Sequence, residues 1–189
     1  MSIGMLRRVV AAGCLLIAAT GAASAQGLDF SSSNPLAFLF SRNPVPRQTI
    51  AFPAKYSPGT IIVNTGERRL YLVQPGGQAI RYGIGVGRDG FRWAGVTAVS
   101  AKREWPDWTP PSQMLKRRPD LPRHMKGGPD NPLGARAMYL GSSLYRIHGS
   151  NEPETIGTAV SSGCFRMTND DVVDLYNRVR VGTKVVVLR

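Results

Sequence analysis

The sequence predicts a mainly β domain with one definite helix, and three observations support this prediction. Short runs of β-branched and aromatic residues recur from residue 59 onward, separated by turn-forming residues. The chain contains 21 glycines and 14 prolines, which favours turns over long helices. A clear helical spacing of apolar residues follows residue 168. With 189 residues in all, we expect a single domain with a proper core.

Three strands joined by short turns open the predicted domain as a β-meander. We predict them at 60–64, 69–74 and 78–86. Glycines alternate at the end of the third strand, so one face there is nearly bare backbone that permits close approach by a partner or another sheet. They do not form a dinucleotide-binding fingerprint, because no helix pattern follows them. These glycines are Gly83, Gly85 and Gly87.

The remaining predicted elements are four strands and the helix. We predict the strands at 96–102, 137–140, 143–147 and 184–188. Thr168 begins a Thr-Asn-Asp-Asp sequence, which is a typical helix start with acidic residues in the first turn. Four apolar residues at helical spacing then predict an amphipathic helix of about ten residues. They are Val172, Leu175, Tyr176 and Val179.

A long excursion at residues 103–136 interrupts the alternation of strands and turns. It is rich in proline and basic residues and contains two tryptophans. Loops of this length inside a compact domain are usually functional. We interpret it as a lid or substrate wall, with a packed structural insertion as the alternative. His124 lies in this segment, and we expect it to be a solvated or loop-packing histidine.

The formal charge of +12 at pH 7 predicts a polyanionic neighbour. Nucleic acid, an anionic membrane surface and an anionic cell-wall polymer would all fit a charge of this sign. We find neither a basic helix nor an aromatic RNA-binding signature, and net charge alone does not predict nucleic-acid binding. We therefore expect no nucleic-acid partner and favour a wall polymer or a membrane surface.

The first 25 residues have the layout of a secretory signal. Arg7 and Arg8 form a positive n-region, and residues 9–19 are an apolar run too short for a good membrane span. The Ala-Ser-Ala sequence at 23–25 fits the small-residue cleavage rule. An uncleaved N-terminal anchor and a lipoprotein cleaved before Cys14 are the alternatives.

Export divides the chain into three predicted parts. Residues 1–25 are the signal peptide, residues 26–57 are a linker or N-terminal arm over the domain, and residues 58–189 are the folded domain. We expect the protein to be exported to the periplasm or cell envelope of a bacterium.

Cys164 is the only cysteine outside the predicted signal. Exported proteins that use disulfides carry their cysteines in pairs, so a single cysteine calls for another explanation. A lone cysteine can be a small buried hydrophobe. Because this thiol lies beside Gly163 in a polar turn, we favour a reactive role.

A cysteine nucleophile with a histidine base is the chemistry that this region indicates. A thiol with an unperturbed pKa of about 8.5 is mostly protonated at neutral pH and needs a base or a cationic neighbour. His148 has a better setting than His124, because it follows a predicted strand and would come off a rigid strand end. Cys164 follows 16 residues later, which leaves room for a loop that returns beside the strand.

Several polar groups near the pair could support catalysis. Glu152 or Glu154 could complete a triad, or a backbone carbonyl near Gly149 could fix the histidine tautomer. The N–H groups of Gly163 and Cys164 can face a developing oxyanion. Arg166 can hold a substrate carboxylate or favour the thiolate, or it can form a surface salt bridge to Asp170 or Asp171.

The motif as a whole resembles the signature of the L,D-transpeptidase catalytic domain, the YkuD-type family. The resemblance lies in His148-Gly149, the 16-residue step and the Ser-Ser-Gly-Cys-Phe-Arg-Met sequence at 161–167. It extends through the opening strands, the Asn-Pro-Leu-Gly run at 131–134 and the closing helix and strand, and covers about 58–189. It implies a mixed β-sandwich or barrel-like fold with one main α-helix after the catalytic cysteine and a long lid loop.

The resemblance also implies an activity on peptidoglycan. Such enzymes attack a stem tetrapeptide after its third residue, commonly diaminopimelate, and expel the terminal D-alanine. The acyl group then passes to the amine of another stem, to a lysine of an envelope protein or to water. The expected partners are peptidoglycan stem peptides, and carbapenem-type inhibitors are expected to acylate the cysteine. We expect no cofactor and no metal.

The resemblance assigns roles residue by residue. Cys164 would be the nucleophile, His148 the base and Gly149 the carbonyl that orients it. Ser162 and Gly163 would form the turn that supports the oxyanion. Ser161, Arg166 and Tyr139 are the expected substrate-binding residues.

One departure from the family pattern is Ser162, where many members have histidine before the Gly-Cys pair. This puts the contribution of a second histidine in doubt and leaves His148 without a substitute. Two other hypotheses remain open. One is an exported cysteine peptidase, either an L,D-carboxypeptidase or a sortase-like transferase, and the other is a wall-binding module without turnover.

Overall fold

The structure is a computed structural model that describes residues 43–53, 55–91 and 93–189. The predicted signal peptide and residues 26–42 and 54 of the predicted arm lie outside the described residues.

Strands dominate the described residues, and the prediction of a mainly β fold with one main helix is confirmed. The strands are β1 Gln48–Ala51, β2 Ile61–Asn64, β3 Arg69–Gln74, β4 Gln78–Gly83, β5 Val86–Gly87, β6 Gly95–Glu104, β7 Arg136–Leu140, β8 Arg146–His148, β9 Ala159–Ser161, β10 Phe165–Arg166 and β11 Lys184–Leu188. The helices are α1 Ser112–Arg117, a 3₁₀ turn at Pro153–Thr155 and α2 Asn169–Arg178.

Nine of these strands form one mixed sheet in the order β1-β4-β3-β2-β11-β6-β7-β8-β10. Only β11 with β2 and β10 with β8 run parallel within this sheet, and β5 pairs with β9 separately. The long strand β6 pairs with β11 through its first residues and with β7 from Val99 onward. Its register shifts between Val99 and Ala101, and a bulge of this kind bends a strand and increases its twist. The bend connects the opening meander to the strands that carry the site.

The main core lies between one face of the sheet and helix α2. Val172 and Leu175 of α2 are fully buried against it, which follows from their helical spacing. The opposite face of the meander is also covered, because Ile50 and Phe52 pack over it. Tyr71 and Val73 belong to this second, smaller cluster. Both faces of the meander are therefore protected from water, which explains why β2 is apolar at successive positions.

The described part of the predicted arm, residues 43–53 and 55–57, contains an edge strand that the sequence did not predict. Strand β1 pairs antiparallel with β4. Just before it, Asn43 Nδ2 and Arg47 Nη1 bind the carboxylate of Asp171 at 2.8 and 3.2 Å. Burial raises the pKa of Asp171, and the contacts with Asn43 and Arg47 oppose that rise. The arm thus holds the first turn of α2, directly after the cysteine segment.

The alternating glycines permit close approach, as their pattern predicts. A Cβ at Gly83 would lie 2.5 Å from the Cβ of Val45, and one at Gly87 would lie 2.6 Å from the carbonyl oxygen of Phe91. The strand predicted at 78–86 is divided into β4 and β5, because Gly85 bridges to Arg166 while β5 pairs with β9. The division turns the chain toward the cysteine.

The helix after the cysteine forms as predicted, with Thr168 as its N-cap. The Thr168 hydroxyl accepts a hydrogen bond from the Asp171 N–H at 3.3 Å. The strand predicted at 143–147 begins later, at Arg146, because Ser143 closes a turn by donating to the Leu140 carbonyl at 2.6 Å. Among the described residues, no helix is long and apolar enough to cross a membrane.

Candidate active site

Strands β8 and β10 lie side by side and position the two residues that the motif singles out. Their parallel register pairs Arg166 with His148 and Phe165 with Ile147, so Cys164 lies immediately before β10. His148 and Cys164 both line one cavity of about 610 Å³. The structure therefore brings the predicted nucleophile and the predicted base to a common site.

His148 is a buried histidine with a defined tautomer. The residue is 4% exposed, and Nδ1 lies 2.6 Å from the carbonyl oxygen of Gly149. Since a carbonyl oxygen can only accept, Nδ1 carries the hydrogen and Nε2 keeps its lone pair. Burial lowers the pKa of His148 to about 3, and the cations Arg166 and Arg146 act in the same direction. The imidazole is therefore neutral at neutral pH, with the lone pair of Nε2 unprotonated.

Position 149, whose carbonyl binds His148, has no room for a side chain, because a side chain there would meet Asn169. A Cβ there would overlap the Oδ1 atom of Asn169 and lie 3.0 Å from the N–H of Ala135. Asn169 Oδ1 accepts a hydrogen bond from the same Ala135 N–H at 2.9 Å. Asn169 thus supports the Gly149 backbone behind the histidine, a role that its position in a helix start does not reveal.

Cys164 is a half-buried free thiol. Its Sγ lies 3.8 Å from the carbonyl oxygen of Leu144, which the thiol proton can reach. Burial raises the pKa of Cys164, while Arg146 and Arg166 oppose the rise. The resting pair is therefore a neutral thiol beside a neutral imidazole, so the thiol needs the base during attack.

The Ser-Ser-Gly-Cys turn is fixed by Ser161. Its hydroxyl donates to the Cys164 carbonyl at 2.6 Å and accepts from the Gly163 N–H at 3.1 Å. Gly163 has a φ of +110°, and a Cβ there would overlap the ring of Tyr145. Because the Gly163 N–H is occupied in this arrangement, the Cys164 N–H is the backbone donor that the turn can offer to an oxyanion.

An aromatic pair that the sequence did not single out holds the turn from outside. Trp93 stacks on Tyr145 with ring centroids 4.9 Å apart, and its Nε1–H donates to the Gly163 carbonyl at 3.3 Å. The two residues are 52 positions apart in the chain, so no local pattern could have paired them.

Arg166 forms an ion pair with Glu152 at 2.8 Å at the cavity wall. The predicted alternative, a salt bridge to Asp170 or Asp171, is wrong, because Asp171 is bound by the arm instead. Glu152 therefore faces an arginine and does not orient His148. That task falls to the Gly149 carbonyl.

The other two predicted substrate-binding residues, Ser161 and Tyr139, differ in their placement. Ser161 lines the cavity, as does the predicted turn residue Ser162. Tyr139 lies under Arg146, whose guanidinium carbon is 5.0 Å from the ring centroid. Arg146 itself lines the cavity, so Tyr139 supports a wall residue.

The long excursion at 103–136 forms one wall of the cavity, as the lid interpretation expects. Trp108 and Met125 exchange two backbone hydrogen bonds of 2.8 Å, and both residues line the cavity. Asn131 braces the loop by donating to the carbonyls of Pro106 and Lys126. His124 lies 3.5 Å from Asp107 with 54% of its side chain exposed, which agrees with a solvated histidine.

The family model and the curated relatives agree on the family. Residues 58–187 match the family model of the L,D-transpeptidase catalytic domain, YkuD. The chain is 39% identical to the probable L,D-transpeptidase ErfK/SrfK of Escherichia coli over 178 residues, which cover 86% of this chain and 56% of that protein. The chain spans about half the length of the first curated relatives it matches, 56% and 48%.

Solved structures give the same fold. L,D-transpeptidase 3 from Mycobacterium tuberculosis, in complex with a faropenem-derived adduct, is similar with a TM-score of 0.57 at 16% identity. The match covers 69% of this chain and 60% of that one, and at this identity it supports the fold alone.

A structure from Brucella melitensis is 49% identical, with a TM-score of 0.51, and the match covers 76% of this chain and 93% of that one. It is described as a probable carnitine operon oxidoreductase. That description is at odds with the family match. The Gly-x-Gly segment here runs through strands β4 and β5 and does not open a helix, so it lacks the geometry of a dinucleotide site. The family match and the paired cysteine and histidine lead to one conclusion: the chain belongs to the L,D-transpeptidase family and carries its catalytic domain.

Proposed function

We propose that the protein is an exported L,D-transpeptidase that acts on peptidoglycan stem peptides through a cysteine acyl-enzyme. The observation that carries this proposal is the neutral, buried His148, whose Nδ1 is engaged by Gly149 and whose cavity also holds Cys164. A base of this kind has one available lone pair beside a thiol that needs deprotonation. The family indicates the reaction class, and the geometry supports Cys164 as the nucleophile and His148 as the base of that reaction.

In the first half-reaction, Cys164 Sγ attacks the carbonyl carbon of the third residue in a donor tetrapeptide. The thiol proton passes to His148 Nε2, and the carbonyl electrons move onto the oxygen, which the Cys164 N–H can stabilise as a backbone donor of the turn. The tetrahedral intermediate then breaks its bond to the D-alanine nitrogen. His148 returns the proton to that nitrogen, so D-alanine leaves as an amine and a thioester remains.

In the second half-reaction, an acceptor amine attacks the thioester carbon. His148 takes a proton from the attacking nitrogen, the carbon–sulfur bond breaks, and the proton returns to Cys164. The acceptor is the side-chain amine of another stem or a lysine of an envelope protein, and attack by water would instead hydrolyse the thioester. The cavity of about 610 Å³, walled in part by the lid, lies within the size range of ligand-binding pockets and contains the thiol in its lining.

The same mechanism makes Cys164 the target of carbapenems, which acylate nucleophiles without releasing a D-alanine. We expect a one-to-one covalent adduct on the purified protein, measured by intact mass. Cys164→Ala should form no adduct, while His124→Gln should form it at the wild-type rate. An adduct retained in Cys164→Ala would remove the nucleophile assignment.

Product analysis then identifies the acceptor. Defined tetrapeptide muropeptides are incubated with and without an acceptor amine, and the products are separated by mass. Cross-linked dimers support transpeptidation, whereas tripeptides alone support a carboxypeptidase. Absence of both products, together with retained binding to sacculi, would contradict the enzymatic proposal.

A further inference from the structure

A second cavity of about 360 Å³ adjoins the catalytic cavity and is strongly cationic. The two cavities are continuous, because six of its eight lining residues also line the catalytic cavity: Met114, Arg117, Arg118, Leu121, Ser162 and Arg166. No aspartate, glutamate or histidine is among the described residues that line it. We call it the arginine groove, after its four lining arginines: Arg88, Arg117, Arg118 and Arg166.

Two of these arginines are held together on one aromatic ring. The guanidinium carbons of Arg88 and Arg117 lie 5.2 and 5.4 Å from the centroid of Phe91. Arg88 follows strand β5 and Arg117 ends helix α1 of the lid, so the ring brings together two distant parts of the chain. Stacking on an aromatic face stabilises a guanidinium without using its N–H donors. Both groups keep their donors for a ligand.

These two arginines differ from the other two in their charge partners. Arg118 is paired with Asp120 at 2.6 Å, and Arg166 is paired with Glu152 at 2.8 Å. Within the described part of the chain, neither Arg88 nor Arg117 forms an ion pair with a carboxylate. Two like charges confined in a cleft repel each other and focus a positive potential there. An anion that enters the groove relieves this repulsion.

The chemistry of the groove favours a carboxylate. A guanidinium presents N–H donors in a planar fork that matches a carboxylate bidentately. The groove opens into the cavity of the nucleophile, so its ligand belongs to the molecule that reacts there. On the proposed function that molecule is a peptide with free carboxylates.

We propose that the arginine groove binds a carboxylate of the peptide that reacts at Cys164, with Arg88 and Arg117 as its principal contacts. This inference rests on the proposed function. The carboxylate belongs either to the donor stem or to the molecule that carries the acceptor amine. Arg88 and Arg117 are specificity-determining residues that act on substrate binding and do not touch the reacting atoms.

The first test measures binding without turnover. In a Cys164→Ala background, a donor tetrapeptide is titrated into the protein by calorimetry, with Arg88→Gln, Arg117→Gln and the double variant beside it. Each substitution should weaken donor binding about 5- to 10-fold if the donor supplies the carboxylate. Arg180→Gln is the matched control, because it removes the same charge from an exposed residue outside the groove and should leave binding unchanged.

The second test separates the two sources of the carboxylate. With Cys164 intact, the double variant is assayed for transfer to an amine with a neighbouring carboxylate and to its carboxamide. If the acceptor supplies the carboxylate, the double variant should raise KM for the acid about 5- to 10-fold and leave the carboxamide unaffected. Arg88→Lys and Arg117→Lys should recover part of the loss, because they keep the charge but not the fork.

The outcomes distinguish this inference from the proposed function. If the double variant binds the donor and uses both acceptors like wild type, the proposed carboxylate binding in the arginine groove is wrong. The cysteine mechanism is unaffected by that result. An equal loss in Arg180→Gln also overturns it, because the effect would then come from net charge alone. If wild type neither forms a carbapenem adduct nor releases D-alanine, the proposed function itself fails.

Discussion

The buried, neutral His148 makes a quantitative prediction about the pH dependence of stability. Burial lowers the pKa of this imidazole to about 3 in the folded protein, whereas the unfolded chain has the ordinary value of 6.5. Below about pH 6.5 the unfolded chain takes up a proton that the folded protein does not. The free energy of unfolding must therefore fall as the pH drops from 6.5 toward 3.

The pKa values set the size of this effect. Each pKa unit corresponds to about 1.4 kcal/mol, so the full loss across the window approaches about 5 kcal/mol. Between pH 7.5 and pH 4.5 the expected share is about 3 kcal/mol. A loss of that size is a large part of the stability of a typical domain.

Denaturant titrations at pH 7.5 and pH 4.5 test the prediction. In His148→Gln the loss on acidification should be about 3 kcal/mol smaller than in wild type, because the titrating imidazole is gone. His124→Gln is the matched control, and its loss should equal that of wild type, since His124 is largely exposed. If wild type and His148→Gln lose the same stability, the imidazole is not held neutral by burial, and the description of the base is wrong.

Two further predictions concern the nucleophile and its turn. Because burial raises the pKa of Cys164, its alkylation by iodoacetamide should keep accelerating above about pH 8.5, and a plateau near pH 7 would contradict a neutral resting thiol. Gly163→Ala should destabilise the fold by at least about 2 kcal/mol in thermal unfolding and abolish carbapenem acylation, because φ is positive and the new methyl group meets Tyr145. Gly182→Ala is its control, since φ is +90° but a Cβ there meets nothing within 4 Å, and an equal effect in both variants would exclude the Tyr145 contact as a cause.

Local patterns predicted most of the elements in the fold. Strand β3 and strand β11 have the predicted bounds, and α2 begins after the predicted cap Thr168. These elements depend on alternation, helical spacing and capping, which neighbouring residues determine. The short strands β1, β9 and β10 were missed, because two to four residues carry too little periodicity and form only against a partner strand.

The environment of the site depended on contacts between distant parts of the chain. Sequence analysis could pair Arg166 only with its near neighbours Asp170 and Asp171, but the fold places Glu152 beside it. Trp93 gave no signal of its role, because its contact with the cysteine turn depends on where the loop after β5 returns. The arginine groove also depends on distant parts of the chain, since Arg88 and Arg117 come together on the ring of Phe91.

The sequence by itself determined the order and spacing of histidine and cysteine, the polar turn before the thiol, the helix after it and the family to which these belong. Those features depend on neighbouring residues and can be recognised without any knowledge of packing. Only the tertiary structure decided that the thiol and imidazole are both neutral, that Ser161 occupies the Gly163 N–H and that the lid walls the cavity. Protonation states and hydrogen-bond partners depend on burial and on groups that the fold brings together. The order of residues in the sequence specifies neither the burial nor these neighbours directly.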